Sequence, residues 1–299
     1  MSTGMRAVTS LLLCTLALPA GAASDPASPG SLAIGVTTVD VVDASRNRTL
    51  VTEVWYPARI PGRDARMRGG RRPLVIVVHG HCGSRTNYTY LTTHLATRGY
   101  LVAAPDLPRF CATRDGVDVA DPPQDLVFLH ALLHDRTGSL AAIARHVRGR
   151  TTGLVGHSLG GAAALQAARA ETAFGAVVAL APVAGRDAGL AFAGLRPARA
   201  VLAMGGSADT TISFDVLTKP FFDALPPPAF LVRITGGTHS GFTDVDSSLM
   251  PEALAAQETI VERYATAFFD RYLRDRRRPA ARWLRDTDDG MVEVTARTG

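Results

Sequence analysis

The chain has 299 residues, of which 46% are hydrophobic and 20% charged, and a formal net charge of +5. That balance excludes a disordered chain, and the length allows one large domain or two small ones around a sizeable core. Nearly all the basic charge is arginine, scattered except for Arg274, Arg276, Arg277 and Arg278. No reading motif accompanies it, so no nucleic-acid partner is expected.

In chain order, Arg6, the apolar run from Ala7 to Leu18 and Pro19-Ala20-Gly21-Ala22-Ala23 have the make-up of a secretory signal peptide. Residues 1–22 are expected to be removed, and the run is too short to span a bilayer. The mature protein is therefore expected to be secreted or periplasmic, with no stable membrane anchor. Cys14 leaves with the signal, and the bulky Leu13 before it argues against lipidation. Cys82 and Cys111 remain. An even pair in an oxidising compartment is a disulfide candidate, with two buried free thiols as the alternative.

Residues 23–34 read as a Ser/Pro/Gly-rich leader. Gly35 to Val42 and Leu50 to Tyr56 are strand-like runs joined by a polar turn, an antiparallel hairpin at a sheet edge. Pro57 to Arg72 reads as a surface loop. Pro73 to Val78 is a continuous apolar run, as expected of a strand covered on both faces, and it ends in His79-Gly80-His81-Cys82-Gly83. A helix over Asn87 to Arg98 and a strand over Tyr100 to Ala104 follow. Beyond the irregular stretch Pro105 to Pro123, helices are predicted over Gln124 to His134 and Ser139 to Val147. Further strands are Gly175 to Ala181, Ala200 to Met204 and Ala229 to Ile234, with a helix over Ile212 to Leu225. Glu252 to Arg274 is a long amphipathic helix marked by Ile260, Tyr264, Phe268 and Tyr272, and residues 276–299 read as a C-terminal tail. This alternation predicts an α/β fold: one domain over residues 35–275 with a mostly parallel, doubly wound sheet. The stretch Pro182 to Arg199 is too short for a cap domain, which predicts an open cleft.

The chemistry centres on residues 151–165. A short apolar strand leads into Gly156-His157-Ser158-Leu159-Gly160, and an Ala-rich helix follows. This is the nucleophile-elbow pattern, in which a serine is raised on a tight strand-to-helix turn. A serine hydroxyl is a weak nucleophile until a histidine takes its proton and a carboxylate orients that imidazole. Ligand chemistry in such sheets gathers at the carboxyl ends of the strands. Asp209 follows one strand end and His239 the next, in the required order Ser, Asp, His. Asp187 and Asp215 are the alternative carboxylates, and an Asx-turn or a helix cap is the structural alternative for Asp209. The expected oxyanion donors are the backbone N–H groups of Leu159 and His81, with Cys82 as the runner-up to His81. His130 and His134 share a helix face at metal-ligand spacing, but no third ligand accompanies them, so no metal and no cofactor are expected. His94 and His146 read as residues of helix faces, and His157 as a side chain packed beside the strand.

These residues together give a chain that resembles the α/β-hydrolase family, and within it the dienelactone-hydrolase-like and platelet-activating-factor-acetylhydrolase-like group. The resemblance runs over roughly residues 35–275. It rests on Glu53-Val54-Trp55-Tyr56-Pro57, on Pro73 to Gly83 with Ser84-Arg85-Thr86-Asn87-Tyr88, on Gly99 to Asp106, and on the elbow. It implies a serine ester hydrolase; the open cleft suits short-chain acyl esters reached from solution, and a small-molecule or lipid-like ester substrate and a monomer are expected. Dienelactone hydrolases proper use cysteine where this chain has Ser158, which favours ordinary ester hydrolysis. Polyester hydrolases and cutinases have a similar core but usually carry an aromatic where this chain has His81. Lipase action, acyl transfer to an alcohol and a non-catalytic binding role on the same scaffold are the remaining alternatives. Phe110, Phe214 and Phe242 are candidates for the apolar wall.

Overall fold

The computed structural model describes residues 25–111, 116–183, 200–244, 249–276 and 280–298. The expected signal segment with Cys14, most of the stretch 182–199 with Asp187, and Arg277 and Arg278 lie outside the described residues. Among the described residues, eleven strands form one sheet in the order β10-β11-β9-β8-β7-β6-β4-β5-β2-β1-β3. β1 (Ile34–Asp43) and β2 (Arg48–Pro57) are the predicted antiparallel hairpin, and β3 (Gly62–Arg63) adds to β1 from within the loop that follows. The parallel centre comprises β4 (Arg72–Val78), β5 (Leu101–Pro105), β6 (Val147–His157), β7 (Phe174–Leu180), β8 (Ala200–Gly206) and β9 (Ala229–Ile234).

The two faces of the sheet follow from the period of two along each strand. On β4, Leu74, Ile76 and Val78 join a core with α2 (Pro122–Asp135), α3 (Ala141–Ala144), α4 (Leu159–Ala170) and α5 (Lys219–Ala224). Val75 and Val77 point the other way, to α1 (Thr89–Thr97) and α6 (Pro251–Leu273). Both faces are covered, which is why these strands read as unbroken apolar runs. Ile260, Tyr264 and Phe268 are the buried stripe of α6, as their spacing predicted.

The residues expected as a tail complete the sheet. β11 (Val292–Arg297) pairs antiparallel with β9, and β10 (Thr287–Asp288) pairs with β11. Val292 and Val294 are buried with the α6 side of the core while Glu293 between them is exposed. Only this short alternation marked the strand, and it is weaker than the apolar runs of the centre. The folded unit thus extends past residue 275. It also begins before residue 35. Asp25 pairs with Arg263 at 3.1 Å, Pro26 O accepts from His94 Nε2 at 2.8 Å, and Gly30 N–H donates to Thr97 Oγ1 at 2.9 Å. Two shorter departures sit elsewhere. The helix expected over Ile212 to Leu225 is a π-helical turn (Phe214–Thr218) running into α5, and β6 begins at Val147.

A charged cluster holds the hairpin to α2. Arg48 contacts Asp125 at 2.6 Å, Asp118 at 2.7 Å and Asp121 at 3.0 Å, and Arg46 contacts Asp125 at 2.7 Å. Burial raises the pKa of Asp125 despite both arginines. Breaking a buried pair on one side leaves an uncompensated charge. Arg48→Met is therefore expected to cost about 3–5 kcal/mol in urea unfolding; a loss below about 1 kcal/mol would show the cluster to be a screened surface network.

Burial also sets the response to acid. It lowers His94 to about 4 and, with help from nearby His239, His157 to about 3, and it lowers His79, His130 and His134 as well. An unfolded histidine titrates near 6.5. Below about 6.5 the unfolded chain therefore takes up protons that the folded one refuses, and stability falls with pH until the folded values are passed. Glu262 runs the other way: burial, then Glu258, raise it to about 7, so it weakens the fold as pH rises toward that value. Five histidines outweigh it below about 6.5. The urea midpoint is expected to be lower at pH 5 than at pH 7, and a midpoint that rises on acidification contradicts this assignment.

Candidate active site

After β4 the chain moves outward to β5 and then crosses back to β6 on the other side of β4. Such a switch of direction opens a crevice at the carboxyl ends of the two strands, where ligands bind in open α/β sheets. The loop His79–Gly83 leaves β4 at that crevice and the elbow leaves β6.

Ser158 is the single residue between β6 and α4, with φ 53° and ψ −121°. A non-glycine residue held there costs on the order of 1–3 kcal/mol and persists only where its surroundings over-determine it. They do so here. Ser158 N–H donates to Leu180 O at 2.9 Å, while its own carbonyl accepts from Gly161 N–H and Val183 N–H, both at 3.0 Å. The flanking glycines are a matter of room. A Cβ on Gly156 would lie 2.3 Å from Gly160 O, and one on Gly160 would lie 2.2 Å from His79 O. The first turn of α4 is thereby pressed against the loop after β4. The Leu159 N–H belongs to that turn, where helix donors have no intrahelical partner.

The loop His79–Gly83 is braced on several sides. His79 Nδ1–H donates to Gly80 O at 2.8 Å and its Nε2 accepts from Leu107 N–H at 2.9 Å, which fixes a neutral ring. Phe110 sets its edge against that ring at 5.5 Å. Cys82 and Cys111 are bridged, with Cα atoms 4.3 Å apart. Cys82 N–H donates to Phe110 O at 2.9 Å, so it is engaged and Cys82 drops out as the alternative donor to His81. His81 sits at the exposed crest of the loop. Gly80 N–H donates to Tyr88 Oη at 3.2 Å, which leaves the phenol proton for His157 Nδ1 at 3.0 Å. His157, kept neutral by burial, thus joins the elbow to this loop through Tyr88. The bridge closes a separation of 29 residues. Reduction is expected to lower stability by about 2–4 kcal/mol; an unchanged melting temperature with two titratable thiols contradicts this.

Asp209 follows β8 with its side chain fully buried. Its Oδ1 accepts from Thr211 N–H at 2.8 Å and Ile212 N–H at 2.7 Å, and its Oδ2 lies 2.9 Å from His239 Nδ1. The Asx-turn and the contact to histidine are therefore the two halves of one carboxylate. Asp215 is exposed on the π-helical turn. His239 follows β9, and its ring lies 4.6 Å from that of His157, immediately before Ser158. The structure thus brings Asp209, His239 and the elbow together. Among the described residues no hydrogen bond joins Ser158 Oγ to His239; the imidazole and the elbow meet through His157.

The three phenylalanines expected at the apolar wall lie in the interior. Phe110, Phe214 and Phe242 are all buried, and Phe110 and Phe242 back the rings of His79 and His157. Those two hold the imidazoles in place from beneath. His130 and His134 each spend a ring nitrogen on Thr152 Oγ1, at 2.9 and 3.0 Å. His81, Cys82 and Cys111 bring possible ligand atoms within 4.8 Å of one another, but bridged sulfurs supply no thiolate. Among the described residues, no helix is long and apolar enough to cross a membrane. Sequence patterns did not single out Asp244, and they gave His79 and Tyr88 only as members of motifs without a role of their own, because each acts through partners remote in the chain.

A nucleophile-elbow turn at the switch point of a doubly wound parallel sheet defines a hydrolase architecture. The chain belongs to the alpha/beta hydrolase family, whose family model matches residues 75–298. A second family model, platelet-activating factor acetylhydrolase, isoform II, matches residues 28–110, which hold the hairpin and the loop after β4. No curated protein matches the chain. Both matches support hydrolase activity of the serine esterase kind.

Proposed function

We propose that this protein is an exported serine hydrolase of carboxylic esters, acting on short acyl groups through Ser158, His239 and Asp209. The observation that carries the reading is the 2.9 Å contact between His239 Nδ1 and the buried Asp209 carboxylate, beside a strained serine turn. Asp209 accepts a hydrogen bond from Nδ1–H and so leaves Nε2 as the free base. Nε2 takes the Ser158 proton as Oγ attacks the ester carbonyl, and the imidazolium is stabilised by Asp209. The oxyanion is received by the Leu159 and His81 N–H groups. Nε2 then protonates the leaving alcohol, the acyl group remains on Oγ, and a water deprotonated by His239 releases the acid. In hydrolases without a bound substrate the serine–histidine contact is often long and tightens in the complex.

The short-acyl assignment draws on the family model over residues 28–110, which is named for acetyl hydrolysis. Export draws on the signal-like residues 1–22 and agrees with a disulfide between Cys82 and Cys111. A fluorophosphonate probe is expected to label the native protein stoichiometrically, with the adduct on the peptide containing Ser158. Absence of labelling, or an adduct elsewhere, overturns the proposal.

A further inference from the structure

Helix α1 begins without a cap of its own. Tyr88 at its N-cap makes no side-chain capping bond, and no acid stands in its first turn. The missing acceptor comes from 155 residues away. Asp244 Oδ2 accepts from Thr89 N–H at 2.8 Å and from Thr89 Oγ1 at 2.6 Å, while Oδ1 accepts from Tyr90 N–H at 3.1 Å. A carboxylate there satisfies orphan donors and meets the positive end of the helix. Two further bonds run between the same segments: Asp244 N–H to Asn87 O at 2.9 Å, and Tyr90 Oη to Phe242 O at 3.2 Å. Asp244 holds this place although Glu258 lies close enough for the two carboxylates to repel, which raises the Glu258 pKa beyond the effect of burial.

The same short segment is fastened to the loop after β4. Asn87 Oδ1 accepts from Ser84 N–H at 2.6 Å, and Tyr88 Oη holds both Gly80 N–H and His157 Nδ1. Residues 84–90 are therefore tied at one end to the loop that carries the His81 donor. At the other end they are tied to the turn that carries His239.

We propose that Asp244 is a positioning residue, which caps α1 from the His239 turn and thereby fixes the distance between that imidazole and the His79–Gly83 loop. The inference takes the roles of His239 and His81 from the function proposed above, but the tie itself is a statement about coupling and has its own readout. Amide hydrogen exchange is to be compared in the native protein and in Asp244→Ala. Exchange is expected to rise in residues 79–83 and 239–243 together, as well as at the start of α1. With p-nitrophenyl butyrate, kcat is expected to fall by about 10–100-fold, the scale set by a misplacement near 1 Å, with KM changed less than about twofold. Asp244→Asn turns one acceptor oxygen into an amide nitrogen. It is expected to show the same two-loop pattern at smaller amplitude with part of kcat restored, and it carries the test if Asp244→Ala does not fold. Exchange that rises only at the start of α1, or an unchanged kcat, overturns the proposal and makes Asp244 a local helix cap. A native protein that hydrolyses no ester overturns the proposed function, and the exchange pattern alone then decides the coupling.

Discussion

Replacing Ser158 by alanine is expected to lower turnover of p-nitrophenyl butyrate by about 10⁶-fold, the scale seen when a triad serine is removed. The loss has one source. Alanine keeps a Cβ and the same backbone constraints, so the bonds from Ser158 N–H to Leu180 O and from Gly161 N–H to the Ser158 carbonyl remain. Only the hydroxyl goes, and among the described residues no hydrogen bond depends on it. Ser158 is buried, but removing a hydroxyl that no partner uses leaves no polar group unsatisfied, so the melting temperature is expected to stay within about 2 °C of the parent. A residual rate some 10³-fold above water belongs to the oxyanion donors and to substrate binding. Turnover within tenfold of the parent would remove Ser158 from the chemistry.

Asp209→Asn separates the two duties of that side chain. The amide oxygen still accepts from Thr211 and Ile212, so the turn after β8 survives. The amide nitrogen, turned toward His239, presents protons where Oδ2 accepted one. His239 Nδ1 must then accept, its proton moves to Nε2, and the imidazole can no longer take one from Ser158. A fall in kcat of about 10⁴-fold is expected, since this substitution imposes the wrong tautomer while leaving the geometry intact. KM should change little, because Asp209 is buried and meets no substrate. A kcat within tenfold of the parent would mean that Asp209 serves only its turn.

The centre of the fold was legible because its physics is local. Strands covered on both faces must be apolar throughout, and α6 must repeat every three to four residues, so Val75 to Val78 and Ile260 to Phe268 announce themselves. The elbow was legible for a steric reason: a Cβ on Gly156 or Gly160 would lie 2.3 or 2.2 Å from a backbone oxygen, so no other residue fits. The edges were harder. Val292-Glu293-Val294 is a strand because β9 offers it a partner, and a six-residue alternation carries that information poorly. Hardest were residues whose role lies in a distant partner. Tyr88 looks like a helix-start aromatic until Gly80 and His157 close on its hydroxyl. Asp244 looks like a loop acid until Thr89 and Tyr90 arrive from the other half of the chain. Phe110 and Phe242 were hard to place because hydrophobicity alone does not separate a wall that faces substrate from a floor beneath the His79 and His157 rings.

β11 has a practical meaning for anyone trimming this protein. A fragment ending at residue 275 would strip β9 of its antiparallel neighbour and leave a row of bare N–H and C=O groups along Phe230 to Ile234, flanked by apolar side chains. Such an edge is a template for pairing with another molecule. The shortened chain would gather into aggregates through β9, and the failure would be easily mistaken for an inactive enzyme.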